Sequence, residues 1–133
     1  MTAKSNNQVL EAMIAAADMS AKQYHIARLS AADTVNQGSA STQTDLFGVV
    51  QNNPGADEMA TVCVEGMTPI VCGSSIAVNA LITCSPSGRA ITGAPASGAS
   101  AMIIGKVLEA ASADGDIVTA WVHAPWRYTN PGY

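Results

Sequence analysis

Short runs of alternating apolar and polar residues dominate the chain from Ser20 onward, a pattern typical of β-strands with one buried face. Tyr24, Ile26 and Leu29 are the large apolar positions of the first run, and the polar residues between them predict a half-exposed strand. Residues 31–41 are rich in turn-forming residues and predict a connection to the next strand. Turns with glycine or proline then recur about every 8–12 residues, as in β-barrels and β-sandwiches. We therefore predict a mainly β fold, either a small β-barrel or a β-sandwich.

Two stretches of the chain share the order strand, turn, strand. Residues 46–50 lead through NNPGADE into 59–64, and residues 103–107 lead through SADGD into 117–122. Gly48 and Gly105 occupy the same position in the first strand of each stretch, 57 residues apart. The layout predicts two related β-hairpins, with each glycine at a bulge or where another backbone comes close.

The first 18 residues depart from this β pattern. Val9, Leu10, Met13 and Ile14 recur at helical spacing, which predicts a short amphipathic helix. A helix this short needs a surface to pack against, because isolated short helices are marginal in water. That surface is either its own domain or a neighbouring protein, in which case the segment acts as an arm.

The last ten residues, 124–133, concentrate aromatic side chains around two prolines. Trp126, Arg127, Tyr128 and Tyr133 belong to residue types that are enriched among interface hot spots. The tail either packs on its own domain or anchors in a partner. We therefore divide the chain into an N-terminal arm or helix (1–18), a β domain (19–123) and an extended aromatic tail (124–133), with the arm and the tail as candidate partner interfaces.

Charge and length narrow the class of protein. A chain of 133 residues suits one domain, and its formal net charge of −4 disfavours nucleic acid and anionic membranes as direct partners. Only 12% of the residues are charged, which favours association with other protein surfaces. No apolar run reaches the roughly 20 residues of a membrane helix, and no signal-peptide pattern is present. We expect a soluble, intracellular product.

Residues that could carry chemistry are sparse and scattered. His25 and His123, the two histidines, are separated by nearly the whole chain, and we expect His25 to be a partly exposed strand residue. An enzyme, such as a small hydrolase, would need one of them to meet a serine, cysteine or carboxylate in a cleft. No serine lies in a nucleophile motif and no phosphate-binding loop occurs. We predict that the protein is not an enzyme and has no cofactor.

Cysteines and paired carboxylates have structural explanations. Three cysteines with wide spacing match neither disulfide pairs nor a zinc site, so we expect buried free thiols. Asp57-Glu58 and Asp114 with Asp116 occupy predicted hairpin turns, where Asp serves the backbone conformation. We predict no metal site.

Three segments together resemble a known family: LFGVVQNNPGADEMATVCVEGMTPIVCG, ALITCSPSGRAI and IIGKVLEAASADGDIVTAWV. In order and spacing they are similar to the small capsid decoration, or cement, proteins of tailed bacteriophages. The resemblance covers residues 20–122, and LEAASADGDIV is its most specific element. The N-terminal segment and the aromatic tail lie outside it.

The resemblance implies a β-tulip or barrel-like domain similar to the head decoration protein of phage lambda. It also implies homotrimers that bind the major capsid protein on the outside of an icosahedral head and stabilise it against DNA pressure. The protein would then be made in the host cytoplasm and reside on the virion. The alternative is a head-fibre or tail domain that binds a host surface molecule.

Overall fold

A computed structural model describes residues 7–132 of the protein as an all-β structure, and no helix occurs among them. Nine strands follow one another: β1 (Gln8–Ala15), β2 (Ile26–Ala31), β3 (Thr34–Gln37), β4 (Leu46–Val50), β5 (Met59–Val71), β6 (Leu81–Cys84), β7 (Ala90–Thr92), β8 (Ser100–Val107) and β9 (Ile117–Thr129). The described residues accordingly include no helix that could span a membrane. The predicted mainly β fold is confirmed.

Five strands close into a small barrel in the order β1-β3-β2-β4-β5, because β1 also pairs with β5. The antiparallel β1–β5 pairing runs from Gln8 opposite Gly66 to Ile14 opposite Met59. β1 meets β3 in parallel only at Ile14 and Ala15. The predicted barrel is therefore confirmed, and it is small because it has only five strands.

The long strand β5 joins this barrel to a second group of strands, β9, β8, β6 and β7. Its first half lies in the barrel, whereas its second half pairs with β9 from Gly66 opposite Val122 to Val71 opposite Ile117. The β4–β5 and β8–β9 pairs are antiparallel, which confirms the two predicted hairpins. One continuous strand thus ties the two parts of the fold together.

Two hydrophobic cores lie on opposite sides of a shared wall formed by β2, β4 and β5. Val50 and Val62 point into the barrel core, whereas their chain neighbours Val49 and Cys63 point into the second, larger core. All four side chains are fully buried. Both faces of the wall are covered, which explains why these strands have nearly continuous apolar runs.

Gly48 and Gly105 lie where two backbones approach closely, as predicted. A Cβ atom on Gly48 would lie 2.3 Å from the carbonyl oxygen of Cys63 in the adjacent strand. A Cβ atom on Gly105 would lie 2.0 Å from the carbonyl oxygen of Trp121, next to a register shift in the β8–β9 pair. Only glycine fits at either position without displacing a neighbouring strand.

The predicted N-terminal helix is wrong, because residues 8–15 form strand β1. Backbone pairing with β5 along seven residue pairs outweighs the helical spacing of the apolar residues. The predicted connection at residues 31–41 is also shorter than expected, since Thr34–Gln37 forms β3 and pairs with β2. Residues 1–6, which belong to the predicted arm, lie outside the described residues.

The C-terminal segment continues strand β9 to Thr129 instead of leaving the domain at residue 124. Trp126 pairs with Ile103 of β8, and Thr129 pairs with Ser100. Pro125, which has no N–H to donate, lies where the β8–β9 register shifts. Most of the predicted tail is therefore held by a neighbouring strand of its own domain.

Candidate interaction surfaces

The outer side of β1 and the adjacent start of β5 expose large apolar side chains. Val9 and Leu10 are each 47% exposed, Ile14 is 45% exposed, and Met59 is 58% exposed. Ile14 and Met59 are cross-strand partners, so their side chains lie next to each other. We call these four residues the β1 surface. Adjacent exposed apolar residues of this kind mark interaction sites more often than scattered ones do.

A groove of about 280 Å³ brings the N-terminal strand next to β9. It is lined by Val9, Phe47, Val64, Glu65, Ala124 and Pro125. Glu65 supplies the only charged side chain among these lining residues, and it is exposed. Two segments at opposite ends of the chain, both predicted as interfaces, thus share one largely apolar depression.

The end of β9 presents an aromatic and basic surface. Trp126 is 41% exposed, Arg127 is exposed, and Tyr128 is half-buried. The Trp126 ring stacks on His123 at a centroid distance of 6.5 Å and an interplanar angle of 17°. This contact orients the indole and reduces the conformational entropy that it loses on binding a partner.

A further exposed surface crosses strands β6, β8 and β9, and we call it the Trp121 surface. Trp121 pairs with Lys106, which in turn pairs with Leu81, so the three residues form a row across adjacent strands. Trp121 is 50% exposed and Leu81 is 38% exposed. Together with Gly105 and His123 they line a depression of about 180 Å³. An exposed tryptophan beside a lysine suits recognition of a partner that is apolar and acidic.

The two histidines lie in different environments. His25 is buried, at 6% exposure, so the prediction of a partly exposed residue was wrong. Its Nδ1 lies 3.2 Å from the carbonyl oxygen of Gln23. Burial lowers the pKa of His25, and the positive charges of Lys22 and Arg89 add to this effect. His123, by contrast, lies on β9 and stacks on Trp126.

The three cysteines are free and buried, as predicted. Burial raises the pKa of each thiol, to about 11 for Cys72 and about 12 for Cys84. These thiols are therefore protonated, and hence poorly nucleophilic, at neutral pH. Within residues 7–132, no three His, Cys, Asp or Glu side chains are grouped closely enough to hold a metal ion.

The acidic residues at the hairpin turns have structural roles. Asp116 accepts hydrogen bonds from the backbone N–H groups of Ser112 and Ala113, and these bonds lower the pKa of its carboxyl group. Asp114 pairs with Arg89 at 2.7 Å. Asp57 has a positive φ of 64°, a conformation that Asp tolerates in turns. The predicted role of these residues in turns is confirmed.

Comparison with known proteins identifies the family. A sequence model described as phage cement protein matches residues 19–123. The chain belongs to the phage cement protein family. Membership of this family indicates that the protein is a structural protein associated with phage heads and is located on the virion.

One solved structure similar to this cement protein is the head fiber gp8.5 N base in bacteriophage phi29. The TM-score is 0.61 at 18% sequence identity, and the match covers 89% of this chain and 96% of that chain. At this identity the similarity shows that the two proteins share a fold. No curated protein matches the chain.

The residues proposed from the cement protein's sequence as interface residues have different positions. Val9, Leu10 and Ile14 are exposed on β1, whereas Met13 is partly buried and packs against the barrel core. Trp126, Arg127 and Tyr128 lie together at the end of β9, and Tyr133 lies outside the described residues. The Trp121 surface was missed. The sequence pattern could have indicated it, because Trp121 lies between Ala120 and Val122, whose side chains are buried on the opposite face of β9.

The burial of His25 predicts that the cement protein loses stability in mild acid. Its pKa is lowered in the fold, so the unfolded chain binds a proton first as the pH falls below about 6.5. The stability is therefore complete above that pH and declines below it. Urea denaturation between pH 7.5 and 5 should show this decline in the natural protein and in His123→Asn. A His25→Asn variant with the same decline would contradict the assignment.

Proposed function

We propose that the protein decorates the outside of an icosahedral phage head, where it binds the major capsid protein as a homotrimer and stabilises the head against the pressure of packaged DNA. The family match over residues 19–123 is the observation that carries this proposal. It acts without catalysis or a cofactor, since the work of a cement is mechanical. It is made in the host cytoplasm and resides on the exterior of the capsid.

The fold suits a protein that must resist deformation. Packaged DNA pushes the capsid subunits apart, so a cement has to be stiff and must contact several subunits at once. The wall of β2, β4 and β5 is buried on both faces, and well-packed interiors of this kind transmit strain with little compression. Three linked copies also bind more tightly than one, because later contacts become intramolecular.

The interfaces with the head are assigned to the β1 surface and to the end of β9. Leu10 and Ile14 offer apolar area on one, and Trp126, Arg127 and Tyr128 offer hot-spot residue types on the other. Tyr133 is included in the second interface only because it follows these residues in the sequence. A specific protein–protein contact of ordinary size buries roughly 1,600 Å² of accessible surface in total. Both regions can contribute to this buried area.

Binding to undecorated, expanded heads tests this function. Purified protein is added in increasing amounts, and the bound fraction and its location are measured by sedimentation and cryo-electron microscopy. The proposal predicts stoichiometric binding, with density over local three-fold positions of the head lattice. Failure to bind any form of the head would reject the proposal.

The second candidate is a domain of a head fibre or tail that binds a host surface molecule. The similarity in fold to a head fiber base favours this alternative. The loop of residues 94–99, which is largely exposed, offers a surface for such binding. Electron microscopy separates the two functions, because label on an appendage instead of the head lattice supports the second.

Replacing Trp126 with alanine should weaken head binding about 30-fold, the effect of losing one interface hot spot. The substitution leaves the backbone pairing of β9 with β8 in place. Deleting residues 124–133 is a poorer test, because it removes four residue pairs of that ladder. The control is Val78→Ala, which truncates another exposed apolar side chain, in the loop before β6. Equal binding by both variants would remove Trp126 from the interface.

A further inference from the structure

Two apolar surfaces that lie side by side on the molecule carry opposite charges. The groove is a depression with the acidic side chain of Glu65 at its edge, and Glu11 is exposed two residues beyond Val9. The Trp121 surface presents a half-exposed indole next to Lys106. One surface therefore offers apolar side chains beside negative charge, and the other offers a half-exposed indole beside positive charge.

These charges have no ionic partner within residues 7–132. The ion pairs formed there join Arg28 to Asp45 and Arg89 to Asp114, and none involves Glu11, Glu65 or Lys106. Uncompensated charges beside apolar surfaces are suited to recognition of a complementary surface, since they steer approach and fix register. The groove and the Trp121 surface are complementary to each other in this respect.

The sheet places the two surfaces on either side of one row of paired residues. Gln8, Gly66, Val122 and Gly105 form this row across β1, β5, β9 and β8. Glu65 precedes the row on β5, and Trp121 precedes it on β9. In a ring of identical subunits, each copy presents one surface to one neighbour and a different, complementary surface to the other. Such contacts close a ring when the rotation between neighbouring copies completes a full turn, and otherwise they build open filaments.

We infer that the Trp121 surface of one copy docks in the groove of a second copy, with Lys106 facing Glu65, and that three such contacts close the trimer. The inference rests on the proposed function, which requires a trimer but does not say which surfaces form it. The occupant of the groove is thus another copy of this chain. Val9 lies in the groove, whereas the rest of the β1 surface and the aromatic and basic end of β9 stay available for the head.

Reversing the charges of Lys106 and Glu65 tests the proposed contact between copies in solution, without phage heads. Sedimentation velocity and native mass spectrometry are applied to the full chain over a range of concentrations. Lys106→Glu and Glu65→Lys should each place like charges at every contact and shift the trimer towards monomer. Combining both changes in one chain should restore the trimer, because the pair is then reversed but again opposite. Lys22→Glu, a reversal at another half-exposed lysine, is the matched control.

Truncation tests the apolar part of the contact. Trp121→Ala should raise the dissociation constant of the trimer at least about 30-fold. Circular dichroism and protection of the three buried cysteines from a thiol reagent show whether each variant is folded. Wild-type protein that remains monomeric, or variants that form trimers as well as wild type, would overturn the inference.

Head binding, measured separately, distinguishes failure of this inference from failure of the proposed function. If Trp121→Ala and Lys106→Glu form normal trimers but no longer bind heads, the Trp121 surface contacts the capsid protein instead, and the inference is wrong while the function stands. If the variants lose the trimer and the double reversal restores it, the inference holds whatever the heads show.

Discussion

Replacing Gly105 with alanine is expected to lower the free energy of unfolding by about 4 kcal/mol. The added Cβ would lie 2.0 Å from the carbonyl oxygen of Trp121, and the obstruction is the backbone of β9, which cannot rotate away. Strand β9 is held by β5 on one side and by β8 on the other. For a domain of this size the loss corresponds to a fall in Tm of about 15 °C.

Gly115→Ala is the matched control for this prediction. Gly115 has a φ of +93°, but no atom lies within 4 Å of the position where its Cβ would be. Its substitution incurs only conformational strain, about 1–2 kcal/mol. Thermal unfolding of the two variants measures the contribution of the close approach as a difference. Equal losses would show that β8 and β9 separate easily, in conflict with a stiff fold.

A single copy is expected to bind heads about 10²–10⁴-fold more weakly than the trimer. When one copy of a trimer has bound, its linked neighbours are held near their own sites, so their binding no longer requires independent encounters. Lys106→Glu, which should dissociate the trimer, supplies the single copy. The measurement is a titration of undecorated heads with labelled protein at fixed salt, compared with wild type.

The double variant Glu65→Lys with Lys106→Glu controls for a direct contact between Lys106 and the head. This variant should again form trimers and should bind heads with the affinity of the wild type. If the trimer returns without the affinity, Lys106 itself contacts the capsid. Equal affinities for the single copy and for the trimer would show that the copies bind independently, and the advantage of linkage would be absent.

The β-hairpins could be predicted from the sequence because their determinants are local. Alternating side chains, turn residues and a glycine in each first strand lie within about 20 residues of one another, and both hairpins form as expected. The two cores could not be separated in this way. Val49 and Val50 are adjacent and equally apolar, and only the positions of the surrounding strands show that they face different cores.

The N-terminal segment shows where local patterns fail. Val9, Leu10 and Ile14 suit one side of a helix as well as an exposed strand, and pairing with a distant part of the chain, β5, decides between the two. The end of β9 was predicted as part of a tail because aromatic residues are concentrated there next to prolines. Pro125 is accommodated where the register with β8 shifts, so the strand continues.

The candidate surfaces were predictable in part. Exposed apolar residues on β1 and aromatic residues at the end of β9 follow from composition and position in the chain. The groove and the Trp121 surface do not, because each is assembled from strands that are distant in sequence. Leu81, Lys106 and Trp121 become neighbours only through the order of β6, β8 and β9.

Mechanical reinforcement of the head is tested by the temperature at which DNA-filled heads that lack this protein release their DNA. The heads are heated with and without saturating protein, and the released DNA is detected with an impermeant fluorescent dye. If the protein reinforces the head, the release temperature rises with occupancy and stops rising when the sites are full. Full occupancy with an unchanged release temperature would contradict it, because the protein would then bind the head without reinforcing it.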